Sequence, residues 1–132
     1  EEILRLEGPV QGLFRETAED IELHGVAIPK GSVINVRYAA ANLDDTMFET
    51  PEKLNLEREN SRQHLAFGFG THYCMGAPLA RREILLSFKV LLERIDEMWF
   101  LDGLNDFRHH PNFCLRALRE LHIGFTRCKP SA

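Results

Sequence analysis

The sequence predicts an α+β fold, with short β hairpins and a long irregular stretch ahead of a glycine-bearing cysteine loop, a long amphipathic helix and C-terminal strands. Three observations predict it. Short β-prone runs alternate with turn residues between Val10 and Tyr38. The apolar period becomes helical from Ala77. β-prone runs then return on either side of Asp102-Gly103.

Residues 2–6 combine helix formers with apolar positions, and Gly8-Pro9 stops the pattern, which reads as the last turn or two of a helix too short to stand alone. Residues 10–15, 20–23, 27–28 and 32–38 are β-prone, separated by His24-Gly25 and Pro29-Lys30-Gly31, hence hairpins. Residues 39–43 suit a short helix, and 44–62 form a long meandering loop, a length that is usually functional or ordered by what it wraps. Residues 66–76 hold Gly68, Gly70 and Gly76. Beyond them Leu79, Ile84, Leu85, Phe88, Leu91, Leu92 and Ile95 share one broad helical face, with Arg81, Arg82, Glu83, Glu93 and Arg94 on the polar side. Pro78 is tolerated in the first turn, where its missing donor would be unpaired anyway. Residues 98–101, 113–115 and 121–126 are candidate strands.

With 132 residues, 44% hydrophobic and 27% charged, the chain suffices for one domain with its own core. A net charge of −4 and a pI near 5.9 argue against nucleic-acid or anionic-membrane partners. No apolar run reaches membrane-spanning length, and Glu1-Glu2 is no leader, so the expectation is a cytoplasmic protein with no membrane contact. Cys74, Cys114 and Cys128 are widely spaced and unpaired in sequence, which suggests neither a disulfide framework nor structural zinc. His109-His110 reads as a polar loop, since adjacent histidines rarely face one ion. The absent initiator Met and the helical opening raise the expectation of a chain truncated on its N-terminal side.

The segment Phe67-Gly68-Phe69-Gly70-Thr71-His72-Tyr73-Cys74-Met75-Gly76 places a cysteine in a flexible loop just before the long helix. Unpaired backbone N–H groups and the positive end of the helix dipole favour thiolate over thiol there. Glycines suit a loop lying flat against a bulky planar group, and His72 offers a donor to an anionic substituent of that group. These local features leave Cys74 open as a nucleophile, a metal ligand or a buried cysteine at an ordinary loop–helix junction.

Phe-Gly-x-Gly-x-His-x-Cys-x-Gly, continuing as Ala77-Pro78-Leu79-Ala80-Arg81, resembles the haem-binding signature of the cytochrome P450 family. Glu2-Ile3-Leu4-Arg5 is similar to the Glu-x-x-Arg motif of its K helix. Arg15, Glu19 to Leu23 and Gly25 match the strand and hairpin beyond it, and Ala41 to Asp44, Phe48, Pro51 and His64 to Gly68 resemble the bacterial-type approach to the cysteine loop. The resemblance implies the C-terminal part of a mainly helical fold: end of K helix, short β hairpins, meander, Cys loop, long L helix and C-terminal β strands. It makes residues 1–132 one C-terminal haem-ligating portion whose N-terminal two-thirds are absent.

By that resemblance the cofactor is haem b (iron protoporphyrin IX), Cys74 is its axial metal ligand, Phe67 packs near the sulfur, Gly68 and Gly76 belong to the cofactor-binding loop, and His72 and Arg15 pair with the propionates. The thiolate's electron push favours O–O cleavage, tuned by backbone donors around it. For Arg15 the other reading is a solvated strand residue. Glu2 and Arg5 form a structural ion pair tethering the meander; by spacing alone such a pair is worth about 0.3–0.5 kcal/mol. Lys53 and Leu54 stand where the family has an arginine and an aromatic, so either Arg58 or Arg62 substitutes as the third partner or the network is weaker here.

Substrate contacts fall on Val10, Leu13, Phe14 and Phe113, whose apolar character suits a small apolar organic molecule but equally an ordinary core strand. No side chain is assigned as catalytic. The implied activity is a monooxygenase inserting one atom of O2 into its substrate, with electrons from a ferredoxin or flavin-type redox partner. Arg81 and Arg82 serve its docking or form only the polar side of the helix. The alternatives are a truncated, inactive fragment that binds haem weakly or not at all, and an unrelated enzyme with a nucleophilic Cys74.

Overall fold

The structure, a computed structural model, describes residues 1–128, and these form two compact units. The first comprises residues 1–71 together with 111–116. The second comprises 72–110 and the chain from Ala117 onward.

Unit one opens with α1 (Glu2–Glu7), followed by β1 (Leu13–Glu16), β2 (Ile21–Leu23), β3 (Val26–Ile28), β4 (Val33–Val36) and α2 (Tyr38–Ala41). β2 and β3 form the expected antiparallel hairpin, Ile21 opposite Ile28. Its corner is His24-Gly25, with φ of 49° and 79°, the doubly left-handed geometry that matches strand twist in a tight hairpin. β1 does not pair with its neighbour in sequence: it runs antiparallel to β4, Leu13 opposite Val36 and Glu16 opposite Val33, so the β2–β3 hairpin is an insertion between paired strands. Buried Thr17 closes that insertion, its Oγ1 donating to the Pro29 carbonyl at 2.7 Å and accepting the Ser32 N–H at 2.9 Å.

Two expectations need correction in this unit. Tyr38 ends no strand; it begins α2. Residues 113–115 are not a strand either, and Leu115 makes only an isolated bridge with Val10. The reason is local: Asn112 Oδ1 accepts the N–H groups of Cys114 and Leu115, both at 2.8 Å, removing donors that a ladder would need. The segment still docks, through Gln11 N–H to the Cys114 carbonyl at 2.6 Å and Arg116 N–H to the Pro9 carbonyl at 2.7 Å.

Between α2 and the second unit the chain follows turns, including a 3-10 turn at Ser61–Gln63. Order there comes from polar burial: Glu2, Arg5, Asn42, Arg58 and His64 are buried around Phe48, which is 2% exposed.

In unit two α3 (Ala77–Arg94) leads directly into β5 (Ile95–Phe100), which pairs antiparallel with β6 (Ile123–Arg127). Ile95, expected on the helix, is the first strand residue; its N–H closes the last turn onto the Leu91 carbonyl while its backbone is already extended. The register skips one residue at Asp96, a bulge. Trp99 lies opposite Gly124, where a Cβ would approach the indole to 2.5 Å, so only glycine leaves the ring room. The apolar face of α3 is open: Leu79, Leu85, Phe88 and Leu92 are exposed, and within the helix only Ala77 is buried. Periodicity shows which face seeks burial, not what covers it.

Candidate functional site

Unit two carries His72, Cys74 and Gly76 in the loop that enters α3. His72 ends a 3-10 turn, Gly70–His72, and Gly76 is the residue before the first turn of the helix. The Cys74 carbonyl accepts the Ala77 N–H at 3.2 Å, and the Gly76 carbonyl accepts the Ala80 N–H at 2.9 Å, so the cysteine backbone is stitched to the helix start. Its side chain is a free, exposed thiol. Tyr73 and Met75 beside it are exposed too, Met75 at 97%. Arg81 Nη1 donates to the Tyr73 hydroxyl at 3.0 Å, which places that cation over the loop.

Among the described residues, then, Cys74 is not buried at the loop–helix junction. The glycines divide. Gly68 and Gly70 adopt φ of 74° and 72°, which L side chains rarely tolerate, whereas Gly76 has an ordinary helical conformation. A Cβ at Gly76 would meet only the Cys74 sulfur, at 3.7 Å, an ordinary contact, so the chain itself does not demand glycine there. The space beside the sulfur there is open, which leaves room for a flat external group to approach. The donor chemistry fits as well. Among the described residues no cluster of three or more His, Cys, Asp or Glu could hold a bare ion, and a single soft sulfur suits the axial position of an iron that a macrocycle already holds.

Unit one carries the other candidates. Arg15 is exposed on β1, and its Nη1 donates to the Phe14 carbonyl at 2.8 Å. Phe67 is half-buried, its ring 6.1 Å from that of His64 at a 43° tilt. Gly68 N–H reaches the Leu65 carbonyl at 2.8 Å. Val10, Leu13, Phe14 and Phe113 all belong to this unit: the docked 111–116 segment lies along Val10, and Arg37 Nη1 holds the Phe113 carbonyl at 2.8 Å. Phe14 and Phe113 are exposed, so neither is an ordinary core residue here.

Glu2 and Arg5 form the expected pair, more deeply than spacing alone suggests: Arg5 is 1% exposed and bidentate, Nε to Oε1 at 2.6 Å and Nη2 to Oε2 at 3.0 Å. Arg5 Nη1 also donates to the carbonyls of Asn42 and Pro51, each at 2.7 Å, which ties the meander to α1. The third partner is Arg58, not Arg62. Arg58 Nε lies 3.1 Å from Glu2 Oε1, close enough for an ion pair although its N–H points off the hydrogen-bond line. Arg62 is solvated and reaches only Glu1, at 3.9 Å. Hydrogen bonding from Arg5, opposed by burial and aided by the Asn55 N–H and Arg58, holds the Glu2 carboxyl at about 2 against an ordinary 4.5. Both guanidinium groups flank the Phe48 ring, at 5.0 and 5.9 Å.

Sequence reasoning passed over the roles of Asn42 and His64. Asn42 Oδ1 accepts the Leu65 N–H at 2.6 Å while its Nδ2 donates to the Arg5 carbonyl at 3.2 Å. His64 Nε2 sits 2.9 Å from Glu1 Oε2.

The cytochrome P450 family model matches residues 1–97. Cytochrome P450 CYP107DY1 of Priestia megaterium is 41% identical over 125 residues, covering 95% of this chain and 30% of that protein. The polyketide biosynthesis cytochrome P450 PksS of Bacillus subtilis is 38% identical over 128 residues, 96% of this chain and 31% of that protein. Among solved structures, substrate-free Mycobacterium marinum cytochrome P450 CYP150A6 superposes with a TM-score of 0.92 at 35% identity, over 97% of this chain and 33% of that one. The chain thus spans about a third or less of the bacterial relatives it matches and has the architecture of the C-terminal part of their fold. A glycine loop presenting an open thiol at a helix start, a Glu-x-x-Arg pair anchoring a meander, and these matches together place the chain in the cytochrome P450 family, whose cofactor is haem b.

Proposed function

We propose that Cys74 is the axial thiolate of haem iron in a monooxygenase, and that the exposed sulfur at the start of α3 carries this reading. When bound, haem supplies the activation of dioxygen, one atom of which enters an apolar organic substrate while the other leaves as water, reduced by electrons from a partner. The chain's own residues bind and orient. Cys74 offers the sulfur, and the positive end of the α3 dipole favours its thiolate form. His72 and Arg15 donate charge-assisted hydrogen bonds to the propionates and so set the ring's orientation. Phe67 would pack near the sulfur, and Gly68 and Gly76 keep the approach clear of side chains. Val10, Leu13, Phe14 and Phe113 supply apolar surface to the substrate.

The electron donor in this reading is a ferredoxin or flavin-type protein drawing on NAD(P)H, with Arg82 on the polar side of α3 as one docking cation, and the protein works in the cytoplasm. Among the described residues no helix is long and apolar enough to cross a membrane. The test is Cys74→Ser in the haem-loaded protein made from its complete reading frame. The thiolate-type Soret band of the reduced carbonyl complex disappears; an unchanged band refutes the assignment.

A second reading concerns residues 1–132 by themselves: a fragment that binds haem weakly or not at all and turns over nothing. The coverage of about 30% of its relatives and the uncovered face of α3 favour it. Haem titration of the isolated chain decides, a thiolate-type carbonyl band counting against it and a histidine-type or absent band for it.

A further inference from the structure

We propose that His64 is a positioning residue for the Cys74 loop: the bond from its Nε2–H to Glu1 selects the tautomer, and the bare Nδ1 so presented holds the backbone where the chain enters that loop. The imidazole side chain is 1% exposed, and both ring nitrogens are engaged. Nδ1 lies 3.1 Å from the Ala66 N–H, on its own chain two residues on. A peptide N–H can only donate, so Nδ1 presents its lone pair and the neutral ring carries its proton on Nε2. That proton is aimed at Glu1 Oε2, 2.9 Å away, and Glu1 in turn faces Arg62 at 3.9 Å. The tautomer is thereby fixed by geometry.

The consequence is a run of tethered amides. Ala66 N–H is held by His64, Leu65 N–H by Asn42 Oδ1 at 2.6 Å, and Gly68 N–H by the Leu65 carbonyl at 2.8 Å. Asn42 is the far end of one of these ties, bonded to the Arg5 carbonyl of α1. The backbone therefore reaches Gly68, where φ turns positive, from a direction set by α1. Phe67, between the tethered residues, packs its ring against the same imidazole. A histidine that merely filled space would not need either nitrogen in particular. This inference rests on Cys74 being the ligand, because what His64 positions is the loop that delivers the sulfur.

The experiment uses the haem-loaded protein made from its complete reading frame, with three variants. His64→Asn keeps an acceptor where Nδ1 stood and so retains the Ala66 tie. His64→Gln places its amide where Nε2 stood and leaves the Ala66 N–H without a partner. Cys74→Ser reports on the ligand itself. The expected result is a thiolate-type carbonyl band and midpoint potential close to wild type in His64→Asn. In His64→Gln the ratio of thiolate-type to other carbonyl absorption falls roughly five- to tenfold, as expected for one part-buried amide left without its partner. Equal behaviour of the two His64 variants, whether both intact or both impaired, overturns the proposal. A band that survives in Cys74→Ser removes the ligand reading instead, whatever His64 does. Nitrogen NMR shifts of His64 in the wild-type protein give an independent check: a bare Nδ1 supports the proposal, a proton on Nδ1 sinks it, and this result decides if a variant fails to fold.

Discussion

Glu2→Gln removes one negative charge from between two buried guanidinium groups, and the structure sets the size of the effect. Glu2, Arg5 and Arg58 are 5%, 1% and 8% exposed, so little solvent screening is available when the carboxylate goes. Leaving buried charge uncompensated costs about 3–5 kcal/mol. The carboxyl sits at about 2 in the folded protein against 4.5 ordinarily, which corresponds to about 3 kcal/mol of pH-linked stability. Because the folded value is depressed, that stability is fully present above 4.5 and is lost as pH falls through about 2. Equilibrium denaturant unfolding of wild type and variant across this range is the assay. The gap is about 3 kcal/mol or more at neutral pH and closes towards pH about 2, where wild-type Glu2 is itself protonated. Asp44 and Asp106, also held low by Thr46 and Arg108, are present in both proteins and cancel in the difference. A gap under about 1 kcal/mol at neutral pH, or one that does not narrow in acid, refutes the reasoning.

Arg58→Ala destabilises by about 2–4 kcal/mol, since it strips the Glu49, Thr50 and Lys53 carbonyls of a donor as well as Glu2 of a cation, whereas Arg62→Ala changes stability by less than about 0.5 kcal/mol; thermal unfolding of both variants checks the contrast. Gly124→Ala forces a Cβ against the Trp99 indole and costs about 1–3 kcal/mol, read by a shift in the fluorescence of the protein's single tryptophan and a lower unfolding midpoint.

Features whose chemistry sits in the residues themselves were legible in the sequence. His24-Gly25 announced the hairpin because its turn needs left-handed backbone, and Pro78 with the apolar period announced α3. Cys74 and the Glu2–Arg5 spacing were visible for the same reason. The meander and its tether were legible too, but not the groups that hold it, because Arg5 binds through the carbonyls of Asn42, Pro51 and Lys53, groups every residue possesses. The choice of Arg58 over Arg62 depended on which side of a turn faces Glu2, and nothing in a run of charged residues records that. β1 paired with β4 because the intervening hairpin closes on itself and leaves their edges facing each other.

Unit one also has a temporal peculiarity. Its chain departs at Thr71 and returns only with Pro111–Arg116, which supply the bridge to Val10 and the ion pair from Arg116 to Glu7 at 2.6 Å. During vectorial synthesis a ribosome that has just added Thr71 has not yet made the piece that covers the Val10 edge. Among the described residues the bridge to Val10 comes from this later piece, so the whole excursion through 72–110 must be translated before that pairing can form.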